Sequence, residues 1–470
     1  MVSPARDVRG AMKALEAAGV RTNRIAPNDP MFDSFVSDLD PHVVLFDRFT
    51  LEEMFGWRVF AHAPNALRIL DTQDLHFLRH QRQQRVESND KNTRRHYDED
   101  DDDQETNAQM DATFGWEAPT VEIEAKRLDF RCPRLTREIG SILRSDLSLL
   151  VSPFEHSILS SVFDIQPHRL HLAPFFFNDN HNQQQKARLH TREHTQHTQQ
   201  HQDTQDTQQP QDTQDSRQGS RQGTKAIGNS IVGLGQGPSL PVEKRRLDFV
   251  SIGNFRHPPN LDSVKLLKYH IWPRIVSRLS CPSQHSLRVY GAFPPKEVMD
   301  LSDPETGFIV QGPARCQYET LGKYRCLLAP LRYGAGIKGK IADAWSVATP
   351  VVTSPLGSEG MMPEDWSVKG VEFGGHVASD LDEFADLAVM LMEDDAAWES
   401  AALNAHRCAV RLFEFQEGAS KLLSAISEAG LNMETRRENN WLQALLMDEY
   451  HRSTEFKSRY IEAAQRNRNS

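Results

Sequence analysis

The segment from Cys326 to Met362 carries the residues best suited to chemistry. It contains Gly334 and Gly336, and then Lys338 and Lys340 at the start of a stretch whose apolar residues recur at helical spacing. A helix N-terminus offers free amides and the positive end of a dipole, and glycines allow a phosphate to approach closely. Lysines are disfavoured there by roughly 0.3–1 kcal/mol each. We therefore expect an anionic ligand, although a glycine turn with solvated lysines explains the same residues.

Two carboxylates extend this candidate site. Asp343 lies further along the same predicted helix, at a depth suited to accepting hydrogen bonds from ribose hydroxyls. Glu359 follows the next predicted strand and is placed to accept a sugar or ribose hydroxyl. The tight turn Gly253-Asn254, which follows another predicted strand, precedes Arg256, a cation within reach of a phosphate. A capped connection with surface charges is the alternative for that turn, with Asn260 as N-cap of the next helix.

A second cluster of reactive residues lies in the N-terminal half. Asp71, Asp74 and His76 follow the predicted strand Ala66 to Leu70 within six residues. Open α/β sheets bind ligands at the carboxyl ends of their strands, and carboxylates with an imidazole serve general acid–base chemistry. The alternative is that Asp71 or Thr72 only caps the helix that follows, and the two roles are compatible.

The elements around these residues predict two parallel sheets covered by helices. Short apolar runs alternate with helical patterns in both halves of the chain, which is typical of βαβ units. The predicted strands are His42 to Phe46, Ala66 to Leu70, Leu147 to Val151, Arg169 to Pro174, and runs near residues 250, 289, 309, 328 and 351. The chain opens instead on a helical pattern, Asp7 to Ala18. We expect that the first strand of the N-terminal sheet is missing.

Composition limits the classes of function. The 470 residues suffice for two domains, and the net charge of -11 argues against a nucleic-acid partner. The five cysteines are scattered, without a Cys-x-x-Cys pair, which argues against a disulfide framework or zinc site. The sequence lacks the apolar core of a signal peptide and any run of about 18 apolar residues. We expect a cytoplasmic protein without a transmembrane span.

Two low-complexity segments interrupt the pattern. Residues 83–113 include the acidic run 98–103, and residues 178–245 are rich in Gln, Thr, Asp and His. Both compositions predict disorder, although the acidic run and the four histidines His190, His194, His197 and His201 allow a metal-binding alternative. The expected domains are an N-terminal lobe at 1–177, a linker at 178–245, a second lobe at 246–430 and a helical tail at 431–470.

The segment around Gly334 resembles the donor-binding core of retaining GT-B glycosyltransferases. It is similar to the variety whose loop is Gly-x-Gly-x-Lys-x-Lys before Glu-Ala, with Asp343-Ala344 at the last two positions. It departs from the commoner pattern of two glutamates separated by seven residues, because Ala335 and Asp343 stand there. The phrases FDRFTLEEMFGWRV and ALRILDTQDLHFLR also resemble the acceptor-side lobe of a subgroup of these enzymes.

The resemblance implies the GT-B fold, two Rossmann-like lobes facing each other across a cleft. It implies transfer of a sugar from a nucleotide-sugar to the hydroxyl of an unknown sugar, lipid or protein acceptor, with retention and without metal or cofactor. Candidate catalytic residues are His76, Asp74 and Asp71. The candidate donor-binding residues are Gly253, Asn254, Arg256, Gly334, Gly336, Ile337, Lys338, Lys340, Asp343 and Glu359. A helical tail that crosses back onto the first lobe is also implied.

Two other functions remain open from the sequence. A catalytically degenerate GT-B protein would bind nucleotide-sugar or scaffold a partner, and Ala335, Asp343 and the missing strand favour it. A nucleotide-sugar epimerase on the same fold would convert the donor without any acceptor. The donor base, the sugar and the acceptor are not predicted.

Overall fold

The computed structural model describes residues 2–3, 9–26, 29–97, 116–175, 246–362 and 372–469. These residues form one compact unit with two parallel sheets, each covered by helices. The predicted fold class is confirmed. The linker at 178–245 and its histidines lie outside the described residues.

The first lobe is built on a four-stranded parallel sheet of order β3-β4-β5-β6, and the short strands β1 and β2 pair separately. Its strands are β1 (Val2–Ser3), β2 (Asn23–Arg24), β3 (Val43–Asp47), β4 (Leu67–Asp71), β5 (Leu147–Leu150) and β6 (Leu170–Leu172). Its helices are α1 (Arg9–Ala17), α2 (Met31–Leu39), α3 (Phe49–His62), α4 (His76–Tyr97), α5 (Val121–Arg127), α6 (Pro133–Arg144), α7 (Pro153–Ser161) and the 3₁₀ turn Pro167–Arg169.

The second lobe is built on a six-stranded sheet of order β12-β11-β10-β7-β8-β9, in which every neighbouring pair is parallel. Its strands are β7 (Leu247–Asn254), β8 (Leu287–Ala292), β9 (Phe308–Gly312), β10 (Tyr324–Ala329), β11 (Val351–Thr353) and β12 (Gly375–Val377). Its helices are α8 (Pro258–Leu266), which continues through the π turn Leu267–Ile271, α9 (Trp272–Arg278), the 3₁₀ turn Pro282–Gln284, α10 (Lys296–Met299), α11 (Gln317–Leu321), α12 (Gly339–Ser346), α13 (Pro355–Ser358), α14 (Leu381–Glu393) and α15 (Asp395–Leu412).

Three further helices complete the chain: α16 (Phe415–Leu431), α17 (Met433–Glu438) and α18 (Trp441–Asn469). They return to the first lobe, as predicted. Arg437 is paired with Asp146, with 2.5 Å between Nη2 and Oδ2, and the Gln443 amide donates to the Arg144 carbonyl at 2.9 Å. Helix α18 packs against α6 and α3.

The central strands explain why the sequence forms parallel sheets. All residues of β10 and β11 are buried, and so are those of β5. A strand covered by helices on both faces is a near-continuous apolar run, which is the pattern that the sequence shows there. The carboxyl ends of these strands carry the candidate site.

Helix α4 corrects the expected boundary of the first low-complexity segment. The helix continues to Tyr97, although the sequence predicted an insertion from residue 83. Contacts with other elements stabilise the polar helix: Arg85 pairs with Glu124 at 2.7 Å, and Asp90 pairs with Arg332 of the second lobe at 2.9 Å. The acidic run 98–103, with its metal-binding alternative, lies outside the described residues.

Three smaller features differ from the sequence analysis or were not foreseen by it. A strand of two residues, Val2–Ser3, precedes the first helix and pairs outside the main sheet, so the expectation that the first strand of that sheet is missing stays a prediction. Helix α8 begins at Pro258 with His257 as N-cap, so Asn260 lies inside the first turn rather than capping it. The edge strand Gly375–Val377 was not predicted, because three residues are too few to show a period.

Candidate functional site

The loop between β10 and α12 holds the predicted phosphate-binding residues. Gly336 has a φ of +66°, a conformation that favours glycine. A Cβ added there would lie 3.0 Å from the Asp74 Cβ of the first lobe. The Gly336 amide donates to Glu155 Oε1 of the first lobe at 2.8 Å. The two lobes therefore meet at this turn.

Lys338 occupies the N-cap position of α12 and is buried, with 8% of its surface exposed. Its Nζ donates to the Gly336 carbonyl at 2.5 Å. Burial lowers the pKa of Lys338, and the nearby Glu359 carboxylate opposes this effect. The side chain of Ile337 is also buried, so only its backbone can reach a ligand.

Lys340 is the second residue of α12 and has a different environment. Its Nζ donates to Asn260 Oδ1 at 2.8 Å, and the side chain is half-buried. Among the described residues no carboxylate pairs with it. Burial lowers the pKa of Lys340 to about 8. Lys340 is thus a desolvated cation at the positive end of a helix, where a bound anion would be stabilised.

Asp343 follows Lys340 on α12 and is half-buried. Burial raises the pKa of the Asp343 carboxyl to about 6, and a hydrogen bond with Tyr318 opposes this shift. The carboxyl is therefore largely ionised at neutral pH. It can accept hydrogen bonds from a ligand that reaches the first turns of the helix.

Glu359 is engaged by an arginine that the sequence analysis missed. Arg82 of α4 donates to both Glu359 oxygens, at 2.6 Å and 3.0 Å, and to the Gly334 carbonyl at 2.8 Å. Its Nε also donates to Glu124 at 3.0 Å. All three charged side chains are buried. The signal available in the sequence was the position of Arg82, four residues after Leu78 on the buried face of a helix.

Asp74 and His76 belong to the first lobe and lie near the place where the two lobes meet at Gly336. The His76 Nε2 is 3.1 Å from Asp74 Oδ1, and Asp74 also pairs with Arg79. Burial lowers the pKa of His76 to about 4, so its imidazole is neutral at neutral pH. The structure therefore brings Asp74 and His76 together beside Gly336.

Asp71, the third predicted residue, lies at the end of β4 and accepts from the Gln73 amide at 3.2 Å. Burial raises the pKa of its carboxyl. Gln73 and Arg48 both have positive φ values, +59° and +72°, which are strained for such residues. The Arg48 Nε donates to Gln73 Oε1 at 2.8 Å, and Gln73 Nε2 donates to Asp47 Oδ1 at 2.6 Å. This exposed polar group was not predicted as part of the site.

The turn after β7 holds further predicted donor-binding residues. A Cβ added at Gly253 would lie 2.7 Å from Asn260 Cγ, so glycine is required for the close approach of α8. The Asn254 side chain accepts from the Arg256 amide at 2.9 Å. The Arg256 guanidinium stacks 3.5 Å from the centre of the Phe293 ring.

No group of three or more metal-ligating side chains occurs within the part of the chain that the structure describes. In the same residues, no helix is long and apolar enough to cross a membrane. The five cysteines are free thiols.

Comparison with known proteins agrees with this architecture. Residues 246–394 match the family model described as glycosyl transferases group 1. Anabaena HepE, solved with UDP, superposes with a TM-score of 0.51 at 10% identity, over 89% of each chain. The chain has the GT-B fold. Together, the family match and the fold indicate a glycosyltransferase. A search of curated proteins found no match.

A second solved structure also matches over much of the chain. A mutant of Staphylococcus aureus TarM, solved with fondaparinux, α-GlcNAc-glycerol and UDP, has a TM-score of 0.48 at 9% identity. That match covers 84% of this chain and 57% of TarM, so the chain spans little more than half the length of that protein. The family match covers the second lobe from residue 246 to residue 394, just after α14.

Proposed function

We propose that this GT-B glycosyltransferase moves a sugar from a nucleotide-sugar donor to an acceptor hydroxyl, with retention of configuration and without a metal ion. The donor diphosphate binds at the start of α12. The acceptor approaches from the first lobe, past Asp74 and His76. We also propose a cytoplasmic location.

The observation that carries the proposal is the environment of Lys340. Within the residues that the structure describes, this half-buried ammonium is bonded only to a neutral amide, which costs free energy unless an anion accompanies it. It lies at a helix N-terminus, where phosphates bind. A diphosphate supplies the missing negative charge, and the leaving phosphate of glycosyl transfer is where charge develops. Lysines and the helix dipole stabilise that charge, so a metal ion is not needed.

The remaining residues take roles that their positions allow. Asp343, largely ionised at neutral pH, accepts hydrogen bonds from the ribose. His76 is a neutral imidazole beside the Gly336 turn, and it positions a hydroxyl of the transferred sugar. Asp74 holds the His76 ring through Nε2 and keeps the local charge balanced with Arg79.

The nucleotide is best sought among uridine diphosphates first. HepE, which shares the fold at a TM-score of 0.51, was solved with UDP. The acceptor class stays open among sugars, lipids and proteins.

A degenerate GT-B protein is the second candidate, and two contacts favour it. The Glu359 carboxylate is fully occupied by Arg82, and the Gly336 amide is occupied by Glu155. In such a protein these contacts would hold the lobes together permanently, and nucleotide-sugar would bind without being transferred.

The test has two stages. Thermal stability is measured with UDP-, GDP- and ADP-sugars, since a ligand at a hundredfold excess over its dissociation constant stabilises the fold by about 2.7 kcal/mol. Any donor that binds is then incubated with an acceptor panel, and the anomeric configuration of the product is read by NMR. We expect binding followed by transfer with retention. Binding without release of nucleotide would favour the degenerate protein, and release of a changed sugar without acceptor would favour an epimerase.

A further inference from the structure

The start of helix α7 has the sequence of a capping box that the structure does not use as one. Ser152 is the N-cap residue and Glu155 is the third residue of the helix, the positions at which the two side chains normally satisfy each other's backbone amides. Here the Ser152 side chain makes no capping hydrogen bond. The Glu155 carboxylate points instead to two other segments.

Glu155 joins the two lobes at the candidate donor site. Its Oε1 accepts from the Leu75 amide at 2.7 Å and from the Gly336 amide at 2.8 Å. Leu75 directly precedes His76, and Gly336 belongs to the donor loop. The side chain is fully buried, and within the described part of the chain its Oε2 has no hydrogen-bond partner. A buried polar atom without a partner is costly, and it marks a place for a ligand group.

The surroundings of Glu155 favour the protonated carboxylic acid. Burial is the main cause, the Asp74 carboxylate adds to it, and together they raise the pKa of Glu155 to about 8. The charged groups that face it are Asp74 before α4, Glu138 on α6, Lys338 at the start of α12 and Glu359 after α13. At neutral pH, Oε2 therefore carries a proton without an acceptor.

We propose that Glu155 is a further donor-binding residue, whose protonated carboxyl donates from Oε2 to a phosphate oxygen of the nucleotide-sugar bound at the Gly336 turn. This inference rests on the proposed function. A carboxylate at this place would repel the diphosphate, whereas a neutral acid donates to it. Donor binding then requires that Glu155 is protonated. Because Glu155 also accepts from the Leu75 amide, it connects the donor to the loop that carries His76.

The close approach of the two lobes at Gly336 also accounts for the contacts of Glu155. Gly336 lies so close to the first lobe that an added carbon would be 3.0 Å from the Asp74 Cβ and 3.4 Å from Val151. A phosphate can reach the Gly336 amide only if the lobes separate there. Until then, the Glu155 Oε1 takes the place of the phosphate oxygen at that amide.

The test is the pH dependence of UDP binding, measured by calorimetry on the full chain. Two groups with a pKa of about 8, Lys340 and Glu155, must both be protonated for binding. Proton linkage then predicts that the dissociation constant of the wild type rises about 60-fold between about pH 8.5 and about pH 9.5. Glu155→Gln keeps an acceptor and a donor but cannot ionise, so its dissociation constant rises only about 8-fold.

Glu138→Gln is the matched control. Glu138 is equally buried and burial also raises its pKa, but its oxygens accept from the His76 and Phe77 amides and do not reach Gly336. This variant should keep the steep rise of the wild type. An 8-fold rise in both the wild type and Glu155→Gln would overturn the role of Glu155 and leave the proposed function intact. Absence of UDP binding to the wild type at every pH would overturn both.

A measurement on the wild type alone covers the case in which Glu155→Gln does not fold. The infrared carbonyl band of a protonated buried acid shifts when its hydroxyl gains an acceptor. We expect UDP to shift such a band at neutral pH, and without UDP we expect the band to vanish above about pH 9. A band that UDP leaves unchanged, although calorimetry shows UDP bound, would contradict the proposal.

Discussion

Lys340 is expected to lower the stability of the ligand-free protein, and replacing it should reveal this cost. The pKa of Lys340 falls from 10.5 to about 8 on folding. Each pKa unit corresponds to roughly 1.4 kcal/mol, so charging Lys340 in the folded chain at pH 7 costs up to about 3 kcal/mol. Lys340→Met removes that cost but also loses the hydrogen bond to Asn260, worth roughly 1 kcal/mol. The net expectation is a gain of about 1–2 kcal/mol in the free energy of unfolding.

The gain should depend on pH in a defined direction. The folded-state pKa is below the unfolded value, so the unfolded chain binds more protons between about pH 8 and pH 10.5. The stability of the wild type therefore rises through that window, and the advantage of Lys340→Met shrinks. With UDP at a saturating concentration, the advantage of Lys340→Met at pH 7 should shrink, because tenfold tighter binding stabilises the wild type by about 1.4 kcal/mol more.

The assay is urea unfolding of both proteins at several pH values, with and without UDP. Lys323→Met is the matched control, since Lys323 is exposed and its replacement should change stability by no more than about 0.5 kcal/mol. If Lys340→Met is less stable than the wild type at pH 7, or if its advantage grows with pH, the account of Lys340 as an uncompensated cation is refuted.

Three other perturbations follow from the geometry of the site. Arg82→Met should lower the free energy of unfolding by about 3–5 kcal/mol, because it leaves the Glu359 carboxylate buried without its partner, and the double variant with Glu359→Gln should recover part of this loss in a double-mutant cycle. The His76 imidazole should stay neutral down to about pH 4 by NMR. Since its unfolded pKa is 6.5, it should lower stability as the pH falls from 6.5 to 4, and His76→Gln should remove that part of the acid sensitivity. Asp343→Asn should weaken UDP binding about tenfold but leave pyrophosphate binding unchanged, and equal losses for both ligands would contradict a ribose contact.

The fold was predictable because its signals are local. A few consecutive residues suffice to recognise the strand before Gly334, the helix after it and the buried strand at Val351. The glycines mark the turn between them. Parallel pairing then follows from the length of each connection, which is too long for a hairpin. The placement of the candidate donor residues at the carboxyl ends of strands needed no further knowledge.

The contacts between the lobes could not be predicted in this way. The pairs Arg82–Glu359 and Glu155–Gly336 join residues that are 277 and 181 positions apart in the chain. Nothing in the sequence around one residue of a pair indicates the other. Glu155 resembles an ordinary capping residue from its spacing to Ser152. Only the packing of two lobes shows that it faces the donor loop.

Backbone strain could not be predicted from the sequence either. Arg48 and Gln73 adopt positive φ values without being glycine or asparagine, and their mutual hydrogen bond depends on two adjacent strands. The extension of α4 to Tyr97 was missed for a related reason. Its polar composition is typical of a loop, and contacts with other elements, including Arg332 of the second lobe, stabilise the helix.

The most direct test of the central claim is calorimetric binding of UDP at pH 7 to the wild type and Lys340→Met, with Lys323→Met beside them. The account predicts that the wild type and Lys323→Met bind UDP alike and that Lys340→Met binds at least about tenfold more weakly, since a charge-assisted contact is worth roughly 1.5–3 kcal/mol. Equal affinities for the wild type and Lys340→Met would contradict the claim that the start of α12 is the diphosphate site.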